Sequence, residues 1–130
     1  MTAGKKTLIL TTFLILTFFN FSRVIGWNFF AYTQFWQTIV YDNYHHWQIG
    51  ILLLALTFLL RKNLGRLKYM LLGISTGMII DESMYLFYPS YWKFNLYSLP
   101  AIIFQSIVFI IFALIVYWLP SPTLPVGERR

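Results

Sequence analysis

Two pairs of ionisable residues stand inside otherwise apolar sequence: His45-His46 and Asp81-Glu82. Imidazole and carboxylate together suit borderline divalent ions such as zinc, iron or manganese. The same groups can exchange a proton as a general acid–base pair. A third chemistry uses Arg23 with the histidines to hold an anionic headgroup. Against these stand plainer readings. A His-His pair can face water at a helix start, an Asp-Glu pair can be interfacial, and a buried His–Asp contact can simply fix helix register.

Neighbouring residues on a helix point about 100° apart, so four ligands from two adjacent pairs do not converge easily on one ion. His46 and Asp81 are the expected facing pair. His45 and Glu82 then orient them or take a second ion. Tyr85, one turn beyond Asp81, is placed to hydrogen-bond the site. Gln105 reads as an interhelical hydrogen-bond donor. Arg23 reads as a snorkelling side chain or a partner of Glu82 or Asp42.

The surrounding sequence must carry these groups at membrane depth. Of 130 residues, 58% are hydrophobic and 11% charged, whereas soluble domains carry about 25% charged residues. Four apolar segments of near-spanning length can be drawn, at about 6–25, 46–60, 67–87 and 99–119. Pro100 suits the first turn of the last helix. Pro120, Pro122 and Pro125 end it, leaving a short disordered tail over 121–130. The expected fold is all-α, a single four-helix membrane domain covering 1–130.

Net charge is +6, but the basic residues punctuate the apolar runs and form no aromatic-interleaved patch, which excludes nucleic acid as a partner. Lys5, Lys6, Arg61, Lys62, Arg66, Lys68, Arg129 and Arg130 all fall on one side of the expected bundle, leaving only Arg23 and Lys93 opposite. The positive-inside rule makes the more basic side cytoplasmic, with both termini there, in a multi-pass plasma-membrane protein. The first apolar run follows Lys5-Lys6 like a signal peptide, yet no small-x-small cleavage site follows it, so it reads as a retained anchor. The sequence contains no cysteine, which removes disulfides and thiolate chemistry.

Residues 24–44 are too polar to span but dense in tryptophan, tyrosine and phenylalanine. They read as an aromatic interfacial segment between helices one and two, or as a rim over an outward-facing site. Residues 88–97 share that character.

The glycines Gly73 and Gly77 share a stripe with Asp81 and Tyr85, a small-xxx-small pattern that admits a close neighbour. Gly50 is expected to face Gly77 across an antiparallel crossing. At about 1.5 Å per residue, Asp81 stands about 20 Å above Lys68, and His46 about 22 Å above Arg61. Both pairs therefore reach one level, in the outer half of the hydrocarbon. The inner halves of the helices are nearly featureless, which favours an outer pocket over a through-channel.

The composite of His45-His46-x-x-x-Gly50 with Gly73-x-x-x-Gly77-x-x-x-Asp81-Glu82 resembles a group of small uncharacterised prokaryotic multi-pass membrane proteins. That group carries HHxxxG and GxxxGxxxDE segments on successive helices. The resemblance covers under half of the chain. It implies that the two polar pairs belong together, and it brings no established activity.

The leading expectation is a membrane protein holding a divalent metal among His45, His46, Asp81 and Glu82. If it is an enzyme, metal-assisted hydrolysis or oxidation of a lipid-soluble substrate is the expected reaction. The alternatives are an accessory subunit of a larger membrane complex and a proton-coupled carrier. Membrane lipids are the expected surroundings, and a homo-oligomer fits the exposed apolar faces.

Overall fold

The computed structural model describes residues 1–25, 45–83 and 99–120. Its four helices are α1, Ala3–Ile25; α2, His46–Leu60; α3, Leu67–Asp81; and α4, Leu99–Trp118. No strand occurs among the described residues. The aromatic stretches, Tyr85 and the proline-rich tail lie outside them.

Each helix is made chiefly of apolar residues, and its few hydroxyl groups are satisfied locally. Thr12 Oγ1 donates to the Leu8 carbonyl at 2.9 Å, Thr57 Oγ1 to Leu53 at 2.7 Å, and Ser106 Oγ to Ile102 at 2.8 Å. Bonding back by one turn lets a hydroxyl sit in a helix without an outside partner. The short α2–α3 connection turns through Gly65, whose φ of 49° lies in the left-handed region that glycine adopts without strain.

Helix α3 is the centre of the assembly, with α1 and α2 packed on different faces of it. Three contacts in order show that α1 runs parallel to α3. Gly4 meets the Tyr69 ring, Gly73 meets Leu8 and Thr11, and Gly77 meets Thr12 and Ile15. Helix α2 runs the other way, with Gly50 against Ser75, Met78 and Ile79. Helix α4 also runs antiparallel to α1, from Gln105 near Asn20 to Tyr117 near Lys5.

This packing corrects the expected Gly50–Gly77 crossing. The Gly73–Gly77 stripe receives α1, and Gly50 rests on the next face round, over Ser75 and Ile79. The reason is angular: positions 73 and 77 lie on one side of a helix turning about 100° per residue, while 75, 78, 79 and 82 lie on another. Both interfaces are close. A Cβ on Gly73 would stand 2.9 Å from the Leu8 carbonyl oxygen, and one on Gly50 would stand 2.9 Å from that of Ser75.

The polarity of the bundle is inverted relative to a soluble core. Fully buried residues include Thr12, Ser75 and Asp81, each at 0% exposure, while Leu59 and Trp118 are 80% and 78% exposed. Large apolar side chains are exposed on all four helices, densely on α1, α2 and α4 and at Leu67 and Met70 on α3. Exposed apolar surface on this scale is characteristic of interaction or membrane-facing surfaces. Among the described residues, Pro100–Trp118 is long and apolar enough to cross a membrane, and His46–Leu60 is apolar but shorter.

The third helix ends earlier than expected. Helical geometry stops at Asp81, and Glu82 turns away at φ −106°, ψ 14°. The expected run to Phe87 is interrupted at Glu82, helical geometry is taken up again at Ser83, and residues 84–87 lie outside the described residues.

Candidate functional site

The start of α2 and the end of α3 meet at one end of the bundle, and their polar residues meet with them. Helix α2 begins at His46 with His45 extended before it. This leaves the first N–H groups of α2 without partners inside the helix. Glu82 fills that role: its Oε2 accepts from the Trp47 backbone N–H at 2.9 Å. A carboxylate at a helix start is also favoured by the helix dipole.

The same carboxylate serves the histidines. Glu82 Oε1 lies 3.6 Å from His46 Nδ1 and 3.8 Å from His45 Nδ1. Asp81 Oδ2 lies 3.9 Å from His46 Nδ1. All four residues are thus brought together, as the two pairs suggested. Their ranking differs from the expected one. Glu82 is the hub and touches three consecutive residues, His45, His46 and Trp47, while Asp81 approaches His46. Helical spacing is the cause: Glu82 lies seven residues beyond Ser75, on the face that α2 occupies, whereas Asp81 continues the Gly73–Gly77 stripe that receives α1.

Burial makes these charges consequential. Asp81 is 0% and Glu82 2% exposed, and an ionised carboxylate so placed requires a compensating charge or strong hydrogen bonds. The His46 side chain is 40% exposed, yet its Nδ1 is buried and has no hydrogen-bond partner. The imidazole therefore presents one nitrogen to the carboxylates and part of its ring to the surroundings. Phe19 of α1 covers it, with ring centroids 4.4 Å apart. Nothing in the sequence singles out Phe19 among 13 phenylalanines.

Helix α4 reaches the site through Gln105, which is 2% exposed. Its Nε2 donates to the Asp81 backbone carbonyl, and its Oε1 accepts from Asn20 Nδ2 at 3.3 Å. Asn20 Nδ2 also bonds the Leu16 carbonyl at 3.0 Å. The expected interhelical role of Gln105 is observed, with a helix-end carbonyl as its acceptor. Arg23 belongs to the last turn of α1, and its side chain lies outside the described residues, as does Tyr85.

No family model, curated protein or solved structure matches the chain.

The site's chemistry is consequently read from its geometry. Among the described residues, no three histidine or carboxylate side chains are arranged to hold a metal ion. What the arrangement does provide is an imidazole nitrogen facing two buried carboxylates, held by groups from α1, α2, α3 and α4.

Proposed function

We propose that this chain is a small multi-pass membrane protein whose His45-His46/Asp81-Glu82 cluster binds and releases a proton. It acts as an intramembrane acid–base site for a lipid-soluble substrate or a proton-coupled step. The observation that carries this reading is Glu82 standing between His45 and His46 while His46 Nδ1 faces both carboxylates. Imidazole is the side chain that exchanges a proton near neutral pH. Placed against two buried carboxylates, a protonated imidazole offsets one unit of their negative charge.

The apolar exterior with buried polar groups supports membrane embedding, as does the hydropathy of α4. Helix α1, at 23 residues, is about 34 Å long, enough to span. Among the described residues, Lys5, Lys6, Arg61, Lys62, Arg66 and Lys68 collect at the end opposite the cluster, with Arg23 of the last α1 turn at the other end. By the positive-inside rule the termini are then cytoplasmic and the cluster lies toward the outer face.

A divalent metal is the second reading, favoured by one measurement. The N···O separations of 3.6 to 3.9 Å exceed the about 2.7–2.9 Å of a charge-assisted hydrogen bond. An ion with ligand bonds of about 2.0–2.2 Å can bridge such gaps, provided a third ligand closes in.

Infrared difference spectroscopy of the reconstituted protein across a pH jump tests the proposal. Carboxyl and imidazole bands should respond together and vanish in Glu82→Gln. Bands unaffected by that substitution would sink the proton reading. Stoichiometric metal that survives dialysis and is lost in His46→Ala would transfer the site to the metal reading.

A further inference from the structure

The end of the bundle remote from the cluster carries most of the described positive charge. Lys5 and Lys6 open α1, Arg61, Lys62 and Arg66 lie in the α2–α3 turn, and Lys68 sits in the first turn of α3. The described carboxylates, Asp81 and Glu82, are at the opposite end. Arg61, Lys62 and Arg66 are exposed, and no ion pair engages any of them among the described residues.

A solvated run of charge normally adjoins a polar surface. This one does not. The residues flanking the turn are exposed and apolar: Phe58 at 55%, Leu59 at 80%, Leu67 at 46% and Met70 at 41%. Tyr117 and Trp118 of α4 are also exposed and reach the same end, since Lys5 Nζ donates to the Tyr117 and Leu119 carbonyls. Aromatic residues and basic groups at the margin of an apolar belt belong to the headgroup layer, where anionic lipids attract them.

The turn is built to hold its charges at that level. Asn63 N–H bonds the Leu60 carbonyl at 2.9 Å, and Leu67 N–H bonds that of Leu64 at 2.9 Å. These two tight closures leave little freedom for Arg61, Lys62 and Arg66 to withdraw. Lys5 is engaged with α4, so the turn supplies three of the remaining charges at this end, beside Lys6 and Lys68.

We infer that the Arg61–Arg66 turn is a docking surface for anionic phospholipid headgroups of the bilayer in which the bundle sits. The inference rests on the membrane reading above and is independent of what the cluster at the far end binds.

The full chain is reconstituted into phosphatidylcholine vesicles with and without phosphatidylglycerol. Enrichment of fluorescent phosphatidylglycerol around the protein is measured by energy transfer from its tryptophans. Wild type should enrich the anionic lipid, and R61Q/K62Q/R66Q should lose that preference by roughly ten-fold or more, given the attraction expected of each basic residue. High salt should weaken the wild-type preference. Equal enrichment by wild type and triple variant overturns the inference. Displacement of the lipid by millimolar inorganic phosphate also overturns it, indicating a soluble-anion site instead. Failure of both proteins to enter vesicles of either composition overturns the membrane reading and the inference with it.

Discussion

Phe19 of α1 lies over His46 of α2, with ring centroids 4.4 Å apart and planes inclined at 35°. This ties the first helix to the cluster formed by the second and third. Aromatic pairs contribute about 0.5–1.5 kcal/mol beyond the area they bury. Phe19→Ala should lower stability by at least that amount and broaden the His46 ring resonances as the imidazole gains freedom. Sharp, unchanged His46 signals in a folded Phe19→Ala protein would show that the stacking does not hold the ring.

Glu82 should prove more important than Asp81. It accepts from the Trp47 N–H at the start of α2 and faces both histidines. Glu82→Leu strands a donor at the start of α2, at a cost of about 1–3 kcal/mol. Glu82→Gln keeps an acceptor for Trp47 and removes the charge, so it should fold better than Glu82→Leu while losing the proton signal. Thermal unfolding in one detergent ranks the variants, and equal stability of the two would refute the assigned hydrogen bond.

Close helix approach should be intolerant of a methyl group. Gly73→Ala meets Thr11 and the Leu8 carbonyl, and Gly50→Ala meets the Ser75 carbonyl. Overpacking of this kind costs about 1–3 kcal/mol. The two variants should differ in consequence. Gly50→Ala pushes α2 away from α3 and disturbs the cluster, while Gly73→Ala loosens α1 at a distance from it. Cysteine cross-linking between positions 46 and 82 distinguishes them, and it should fall only for Gly50→Ala.

Gln105→Leu should cost about 1–3 kcal/mol, because it leaves the Asp81 carbonyl at the end of α3 without its donor. Asn20→Ala releases only the other end of the amide and should cost less. Denaturation of both variants measures the difference. A larger loss for Asn20→Ala would reverse the assigned roles.

The sequence exposed the helical segments well, because long apolar runs leave little choice of backbone structure. The ends of α2 agree with the expected 46–60. The meeting of His45-His46 with Asp81-Glu82 was also legible, since equal rise along antiparallel helices brings both pairs to one level. The partner of each glycine was not. A small-residue stripe says that some helix comes close, and it does not say which one. The priority of Glu82 over Asp81 was hidden for a related reason. Asp81 continues the Gly73–Gly77 stripe, which is aimed at α2 only if that stripe receives α2; it receives α1, and Glu82, seven residues beyond Ser75, faces α2 instead. Lys5 was legible as a topological charge only, because its acceptors lie on a helix 112 residues later.

That last contact bears on how the bundle forms. Lys5 joins the opening turn of α1 to the closing carbonyls of α4, one of the longest sequence separations the chain allows. Contacts of this kind form late, because the intervening chain must already be arranged before they are gained. The α1–α3–α2 unit can therefore assemble while α4 is still free, and the lysine closes the ring afterwards. Kinetically, Lys5→Met should leave early assembly untouched and accelerate the detachment of α4, measured as faster amide exchange in its final turn.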